Sequence, residues 1–231
     1  MIELRGVWVT VPGAAPGIEP RALLKDVTCT LTEQRIAVIG ANGSGKSTLL
    51  RLLNGLILPS RGKVLVDGLD TATDGSAVRR RVGFVFTDPL AQLVMPTPIE
   101  DVELSLRRTV PRPSRRGRAT QLLEAYGLGH LQHSSVYDLS GGERQLVALV
   151  SVLAVDPKVV VADEPTTLLD LRNRNRIREE LSRLDQQVIV ATHDLELAQD
   201  AERVLVVEDG RIVADGPPAT AIAAYVELVA G

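Results

Sequence analysis

A glycine-rich segment between residues 40 and 48 carries the strongest chemical signal in this chain. It reads GANGSGKST and matches the phosphate-loop pattern G-x-x-x-x-G-K-[ST] without a mismatch. An apolar run precedes it and a leucine-rich pattern follows, so the loop is predicted to join a buried strand to a helix N-terminus. Backbone N–H groups and the positive end of the helix dipole converge on an anion at such a place. The segment therefore predicts binding of a nucleoside triphosphate, in preference to a chance glycine-rich turn.

The side chains of this loop have separate predicted roles. Gly43 and Gly45 allow phosphate oxygens to approach the backbone because glycine has no Cβ. Lys46 is expected to reach the β- and γ-phosphates, and the Ser47 hydroxyl is expected to ligate Mg²⁺. Together with Thr48, these residues form the predicted phosphate and Mg²⁺ site.

A second apolar strand, at 159–162, ends in the carboxylates of Asp163 and Glu164. Ligands of doubly wound sheets bind at the carboxyl ends of the strands, so this pair is expected beside the phosphate loop. Asp163 is predicted to bind Mg²⁺ through water, and Glu164 is predicted to polarise the attacking water. The alternative interpretation is a solvated acidic pair in a turn, which the neighbouring phosphate loop disfavours.

The segment LSGGER, residues 139–144, combines a helix start with two glycines. Ser140 and Glu143 have the spacing of a capping box, followed by the apolar helical pattern of 145–150. Glycine in the first turn costs roughly 1 kcal/mol against alanine, so Gly141 and Gly142 require a reason. Close approach of an anionic ligand group is one reason, and a tight turn that needs small residues is the other.

These three segments, in this order, resemble the nucleotide-binding subunits of ATP-binding-cassette (ABC) proteins along nearly the whole chain. The resemblance identifies GANGSGKST as the Walker A motif, which adds Asn42 to the nucleotide contacts, and VVVADE as Walker B. It identifies Glu164 as the catalytic carboxylate and LSGGE as the signature motif. It also implies that TLLD, residues 167–170, is the D-loop and that His193 is the switch histidine contacting the γ-phosphate.

Two cassettes of this family pack head to tail, so the signature motif of one faces the ATP held by the other. Ser140, Gly141 and Gly142 are therefore expected to act in trans. Hydrolysis of ATP with Mg²⁺ is predicted to require a second ATPase subunit, either an identical copy or a paralogue.

The implied fold is an α/β P-loop NTPase of the ABC-ATPase type: a RecA-like mixed sheet with flanking helices, an antiparallel β portion and an inserted helical subdomain. Residues 1–231 are predicted to form one ATP-binding domain, with 1–86 and 156–231 as the nucleotide-binding core and 87–155 as the helical subdomain. The sequence pattern predicts strands at 2–11, 27–31, 35–40, 62–67, 82–86, 159–162, 188–191 and a hairpin of 204–207 with 211–214. It predicts helices at 99–108 and 119–126 separated by a basic linker, and a loop marked by Pro12, Gly13, Pro16, Gly17 and Pro20.

The segment FTDPLAQLVMPTPIEDVELSLR, residues 86–107, resembles the ATPases of energy-coupling factor (ECF) importers, which take up vitamins and transition-metal ions. The D-loop TLLD resembles the same group. Within that group the chain is most similar to biotin-uptake ATPases, and its end at Gly231 predicts no C-terminal dimerisation extension. The resemblance implies a transmembrane coupling subunit and a substrate-binding membrane subunit as partners. It also implies a peripheral position on the cytoplasmic face of a bacterial cell membrane.

Two positions in the nucleotide site, Thr87 and the position near Val11, depart from the family pattern, whereas Gln92 matches a second glutamine of the ECF pattern. Thr87 stands where most cassettes have a glutamine that touches Mg²⁺ and the attacking water, and its hydroxyl has less reach. Gln92 is expected at the surface near the transmembrane partner. The aromatic residue that stacks on adenine is expected near Val11, where Trp8 is the only nearby ring.

Composition narrows the class of protein further. The net charge of −3 gives no reason to expect a nucleic-acid partner. The longest apolar stretch, 146–155, is half the length needed to span a bilayer, and no secretory signal opens the chain. The single cysteine, Cys29, excludes an internal disulfide and is expected in the core. His130 and His133 lack matching cysteines, so no metal site is expected there.

Arginine-rich runs at 79–81 and 107–118 are interpreted as a solvated face, with attraction to anionic lipid headgroups as the functional alternative.

Other classes of protein are disfavoured by particular features. A soluble cassette acting on DNA or ribosomes would need a coiled-coil insertion or a second cassette. An inactive binding module would lack Lys46 or Glu164, and a small-molecule kinase with a phosphate loop would have no LSGGE segment.

Overall fold

Alternating strands and helices make up the computed structural model, which describes residues 1–13 and 20–230. The strands are β1 (Ile2–Val11), β2 (Arg21–Leu31), β3 (Arg35–Ile39), β4 (Arg61–Val66), β5 (Leu69–Asp70), β6 (Val82–Val85), β7 (Val159–Asp163), β8 (Gln187–Ala191), β9 (Arg203–Glu208) and β10 (Arg211–Gly216). The helices are α1 (Lys46–Leu53), α2 (Gly75–Arg81), α3 (Pro98–Ser105), α4 (Arg112–Ala125), α5 (Gly141–Leu153), α6 (Leu171–Ser182), α7 (Leu195–Gln199) and α8 (Pro218–Ala230). Short 3₁₀ turns lie at Pro89–Ala91, Leu106–Arg108 and Gly129–Leu131.

The strands form two sheets. The larger sheet has the order β10-β9-β3-β8-β7-β6, in which β10 is antiparallel to β9 and the other neighbours are parallel. The smaller sheet is antiparallel, with the order β2-β1-β4-β5. Because the parallel strands β3, β7 and β8 run in one direction, their carboxyl ends lie along one edge of the larger sheet.

Alternate side chains of β7 show how the layers pack. Val159 and Val161 belong to an apolar cluster shared with the small sheet and α1. Val160 and Ala162 point to the opposite face and belong to a cluster with α3, α4, α5 and α6. The strand is buried along its whole length, as expected for a parallel strand covered on both faces.

The segment between β6 and β7 is helical, with α3, α4 and α5 packed against one another. α5 also packs on α6, and its apolar side chains lie in the same cluster as the outer face of the sheet. The predicted helical subdomain, residues 87–155, shares this apolar cluster with the sheet. Its boundaries at residues 87 and 155 therefore remain a proposal.

Most of the predicted elements are confirmed, with shifted ends. β2 begins at Arg21, six positions before the predicted start at Val27. The predicted basic linker is wrong, because α4 begins at Arg112 and includes the charged segment up to Arg118. A proline in the first turn is compatible with that helix start, since its missing N–H would have had no helical partner.

Several helices and one short strand have no counterpart among the predicted elements: α2, α6, α7, α8 and β5. Pro16 and Gly17 of the predicted loop lie outside the described residues. Cys29 is buried as expected, and burial raises the pKa of its thiol to about 11.

Candidate nucleotide-binding and hydrolysis site

Strand pairing brings the predicted site residues to one edge of the larger sheet. Val38, near the end of β3, pairs with Ala191 of β8, and Ala191 pairs in turn with Asp163 of β7. The phosphate loop follows β3 directly, Glu164 follows β7, and His193 lies two residues after β8. The three candidate segments predicted from sequence are therefore neighbours in space.

The phosphate loop has the conformation that its glycines permit. Gly43 has φ of 81°, and a Cβ built on it would meet nothing within 4 Å, so the space beside its backbone is open. Gly45 has φ of 115°, and a Cβ there would lie 2.9 Å from the Leu23 carbonyl oxygen. Lys46 Nζ donates to the carbonyl oxygens of Gly40 at 2.8 Å and Ala41 at 3.1 Å. The side chain of Lys46 thus folds back onto the phosphate loop, and its positive charge lies near the N-terminus of α1.

Ser47 and Asp163 form an oxygen pair next to this loop. The Ser47 hydroxyl donates to Asp163 Oδ1 at 2.8 Å, and Arg51 Nη2 lies 3.7 Å from Asp163 Oδ2. Burial raises the pKa of Asp163, while the hydrogen bond from Ser47 opposes that rise. A hydroxyl and a carboxylate are hard oxygen donors of the kind that Mg²⁺ takes when phosphates and water complete its shell. Residues 1–13 and 20–230 contain no cluster of three or more His, Cys, Asp or Glu side chains that could hold a metal ion by themselves.

Glu164 lies at the centre of the remaining polar contacts. His193 Nδ1 lies 2.7 Å from Glu164 Oε2, and the Thr167 hydroxyl donates to the same oxygen at 3.2 Å. Lys46 Nζ lies 3.8 Å from Glu164 Oε1. The backbone of Glu164 has φ of 51°, a left-handed conformation that costs of order 1 kcal/mol for a residue with a Cβ. Such strain is typical of residues whose side-chain direction is fixed by function.

The signature segment begins α5 as predicted. The Ser140 hydroxyl accepts a hydrogen bond from the Glu143 N–H at 3.3 Å, and Glu143 Oε2 accepts from the Ser140 N–H at 2.8 Å. This reciprocal pair is the capping box, which satisfies two N–H groups at the helix start. The two glycines differ in their surroundings: a Cβ on Gly142 would lie 2.2 Å from Asn173 Cγ, whereas a Cβ on Gly141 would be 3.5 Å from its nearest neighbour. Packing therefore explains Gly142 within this chain and leaves Gly141 unexplained.

Thr87 and Gln92 have structural partners. The Thr87 hydroxyl donates to the Asp163 carbonyl oxygen at 2.7 Å, which ties the end of β6 to the end of β7. Gln92 Oε1 accepts from the Phe86 N–H at 3.2 Å, and its Nε2 donates to the Ala148 carbonyl oxygen at 2.9 Å. Gln92 is half-buried, and its amide links the residue after β6 to α5; its expected place near a membrane subunit stays a prediction.

A cleft of about 270 Å³ surrounds the phosphate loop. It is lined by Arg21, Leu23, Asn42, Gly43, Gly45, Lys46, Ser47, Thr48 and Glu164. Sequence reasoning missed Arg21 and Leu23, because the first half of β2 was not recognised as a strand. The exposed Val11 pairs with Arg21 across β1 and β2, while Trp8 is half-buried. The three signature residues do not line this cleft.

Fold and site together define a nucleoside triphosphate-binding protein of the phosphate-loop class. Comparison with known proteins narrows this class. The family model for ABC transporters matches residues 24–167. The chain therefore belongs to the ABC transporter family, as an ATP-binding subunit that hydrolyses ATP.

Several relatives are similar over most of the chain. A putative ABC transporter ATP-binding protein of Deinococcus radiodurans is 49% identical, covering 98% of both chains. The biotin transport ATP-binding protein BioM of Rhizobium etli is 44% identical, covering 91% of this chain and 94% of BioM. ATP-binding proteins of energy-coupling factor transporters are also among the relatives, at 36% and 40% identity.

Among solved structures, the post-hydrolysis dimer of the ATP-binding cassette MJ0796 with ADP and Pi matches with a TM-score of 0.84 and 32% identity. That match covers 94% of this chain and 99% of the cassette. The predicted ABC-ATPase fold is thereby confirmed. None of the helices in residues 1–13 and 20–230 combines the length and apolar character of a membrane-spanning helix.

Proposed function

We propose that this chain energises an ECF-type importer that takes up a vitamin or a transition-metal ion, with biotin as the favoured cargo. The proposal is supported by the ECF-like segment at 86–107 and by the similarity to BioM along nearly its whole length. A transmembrane coupling subunit and a substrate-binding membrane subunit are its proposed partners. The chain would lie peripherally on the cytoplasmic face of a bacterial membrane.

The contacts around Glu164 carry the proposed hydrolytic role. Its carboxylate lies 2.7 Å from a ring nitrogen of His193 and 3.8 Å from Lys46 Nζ, and Glu164 lines the phosphate-loop cleft. Glu164 polarises the attacking water, and His193 contacts the γ-phosphate while holding the carboxylate in place. Lys46 neutralises charge on the β- and γ-phosphates.

The remaining loop residues bind and orient the nucleotide. Asn42, Gly43, Gly45 and Thr48 line the cleft and surround the phosphates with backbone and side-chain donors. Ser47 and Asp163 would hold Mg²⁺, which neutralises phosphate charge when it is bound.

A second cassette supplies the missing side of this site. Ser140 and Gly141 are exposed and lie outside the phosphate-loop cleft, so their proposed contact with ATP is made in trans. Leu168 of the D-loop is 92% exposed and has φ of 67°, which is a costly state for a leucine in a free subunit. A second copy or a paralogue packed head to tail would cover this side chain.

Substitution Glu164→Gln tests the proposed mechanism. The amide keeps the size of the side chain and removes its negative charge, so turnover should be abolished while ATP-bound dimers accumulate. Steady-state ATPase assays and size-exclusion chromatography with ATP and Mg²⁺ measure the two effects. Glu196→Gln is the matched control, because it removes one carboxylate on α7 that is 76% exposed.

Full ATPase activity in the Glu164→Gln variant would contradict the assigned role. ATP hydrolysis by a strictly monomeric chain, at a specific rate independent of protein concentration, would contradict the trans arrangement. The cargo is tested separately by identifying the small molecule that co-purifies with the intact membrane complex, and a molecule other than biotin would overturn that choice.

A further inference from the structure

The two arginine-rich runs of the sequence meet at a cleft that is separate from the phosphate loop. Arg79 and Arg80 lie on α2, and Arg108 ends the 3₁₀ turn after α3. The cleft between these elements has a volume of about 600 Å³. Three arginines and three hydroxyl-bearing residues line it: Ser76, Arg79, Arg80, Ser105, Arg108 and Thr109. We call it the arginine cleft.

The positive charge in the arginine cleft is not neutralised by neighbouring carboxylates. None of the ion pairs among residues 1–13 and 20–230 involves Arg79, Arg80 or Arg108. Two acidic residues near these elements have other partners. Asp74 accepts hydrogen bonds from the Asp70 N–H and the Thr73 hydroxyl, and Glu103 pairs with an arginine of α4. The cleft is therefore a concentrated positive site on a chain whose net charge is −3.

The arginines also retain most of their hydrogen-bonding capacity. Arg80 Nη1 donates to the Ser76 hydroxyl at 3.1 Å, which brings a hydroxyl and a guanidinium together at the cleft wall. A guanidinium has five N–H donors in a planar fork that fits the oxygens of a phosphate group. The Ser76 and Ser105 hydroxyls add donors that can turn toward the same oxygens, whereas the Thr109 hydroxyl donates to the Leu106 carbonyl oxygen at 3.4 Å.

A purely local explanation covers only part of this arrangement. Arg79, Arg80 and Arg81 lie in the last turn of α2, where cations interact favourably with the negative end of the helix dipole. That effect does not account for Arg108, which comes from a different part of the chain. Nor does it account for a cleft wide enough to admit a ligand between the two elements.

We propose that the arginine cleft binds a phosphate-bearing anion. The phosphate comes either from a small molecule in solution or from the headgroup of an anionic lipid, and the same guanidinium forks would recognise both. Binding here is distinct from nucleotide binding, because none of the arginine-cleft residues lines the phosphate-loop cleft.

The test removes the three charges together and compares two ligands. The cleft variant carries Arg79→Gln, Arg80→Gln and Arg108→Gln. The matched control removes the same charge from exposed positions outside the cleft, with Arg61→Gln on β4 and with Arg112→Gln and Arg118→Gln on α4. All six side chains are exposed, so both variants should keep the thermal unfolding temperature and the basal ATPase rate of the unmodified chain.

In the first arm, inorganic pyrophosphate is titrated calorimetrically with Mg-ADP present in excess, so that the phosphate loop is filled. In the second arm, the protein is co-sedimented with vesicles of phosphatidylcholine, alone or mixed with phosphatidylglycerol. Each arginine near an anionic membrane contributes roughly a fivefold gain in partitioning, so the cleft variant should lose on the order of 100-fold in vesicle binding if a lipid headgroup is the ligand. If the ligand is soluble, the cleft variant should lose the heat signal of pyrophosphate binding.

Loss of pyrophosphate binding in the cleft variant alone supports a soluble ligand. Loss of binding to phosphatidylglycerol vesicles in the cleft variant alone supports a lipid headgroup. The proposal is overturned if the cleft variant and the control lose equal affinity in both arms, or if the unmodified chain binds neither ligand.

Discussion

The two glycines of the signature segment offer a sharp test, because adjacent substitutions should have opposite effects on stability. Gly141→Ala adds a Cβ with 3.5 Å to its nearest neighbour, which is ordinary contact. Alanine favours the helix over glycine by up to about 1 kcal/mol, so the unfolding temperature should rise by about 2–4 °C for a chain of this size. Gly142→Ala places a Cβ 2.2 Å from Asn173 Cγ and 2.8 Å from Asn173 Cβ. Such overpacking costs about 1–3 kcal/mol, so the unfolding temperature should fall.

Activity should separate the two glycines in a different way. If the backbone at Gly141 approaches ATP held by the partner, the Gly141→Ala chain is more stable and yet loses on the order of 100-fold in ATPase rate. The measurements are thermal denaturation of the free chain and ATPase rate as a function of protein concentration. Asn173→Ala should recover much of the stability lost in Gly142→Ala, because it removes the two closest atoms. A stabilised Gly141→Ala chain with full ATPase activity would refute the trans role of this residue.

Three further predictions follow from polar contacts and burial. Arg174 pairs with Asp194 and so is expected to position the adjacent His193. Arg174→Ala should therefore lower the kcat for ATP and leave KM unchanged, and Arg174→Lys should restore part of the activity. A parallel change in KM would contradict this positioning role. Burial alone would raise the pKa of Glu33, but hydrogen bonds from backbone N–H groups and Arg203 hold it below its ordinary value. Its stabilisation is thus present above the ordinary pKa of a glutamate and is lost as the pH falls through the lowered pKa. Urea titrations should show that Arg203→Met costs about 1–2 kcal/mol at pH 7 and weakens this acid dependence. Cys29, whose thiol pKa is raised to about 11, should resist a thiol reagent at pH 8 in the folded chain and react after denaturation.

The sequence predicted those parts of the site in which a short motif directly follows a strand. The phosphate-loop pattern and the acidic pair after 159–162 predicted that Ser47 and Asp163 would lie close together, and their side chains are 2.8 Å apart. This inference needed only the rule that parallel strands present their carboxyl ends at one edge. The roles of Glu164 and His193 in hydrolysis remain predictions, although the two side chains are in contact as the proposed mechanism requires.

The poorly predicted helices α4 and α6 share a physical cause, which is that they bury few side chains. α4 buries only Ala119 and Leu123, so its first two turns carry no apolar periodicity and were interpreted as a linker. α6 buries Ile177 and Leu181 alone, one turn apart, within a segment rich in arginine and asparagine. The start of β2 was missed because charged residues interrupt its alternation and Asp26 adopts a left-handed conformation with φ of 56°.

The poorly predicted helix α6 nevertheless connects the two halves of the proposed mechanism. Asp170 caps it by accepting from the Asn173 N–H at 2.8 Å, so the D-loop fixes its first turn. The Asn173 side chain fills the space that a side chain at Gly142 would need, at the start of the signature helix. The next residue, Arg174, pairs with Asp194, which follows His193 in the chain. Because adjacent residues of one helix contact both segments, we expect a shift of α6 that follows D-loop contact with a partner to move the signature segment and His193 together. The polar residues that obscure the apolar pattern of α6 include Asn173 and Arg174, which make these contacts.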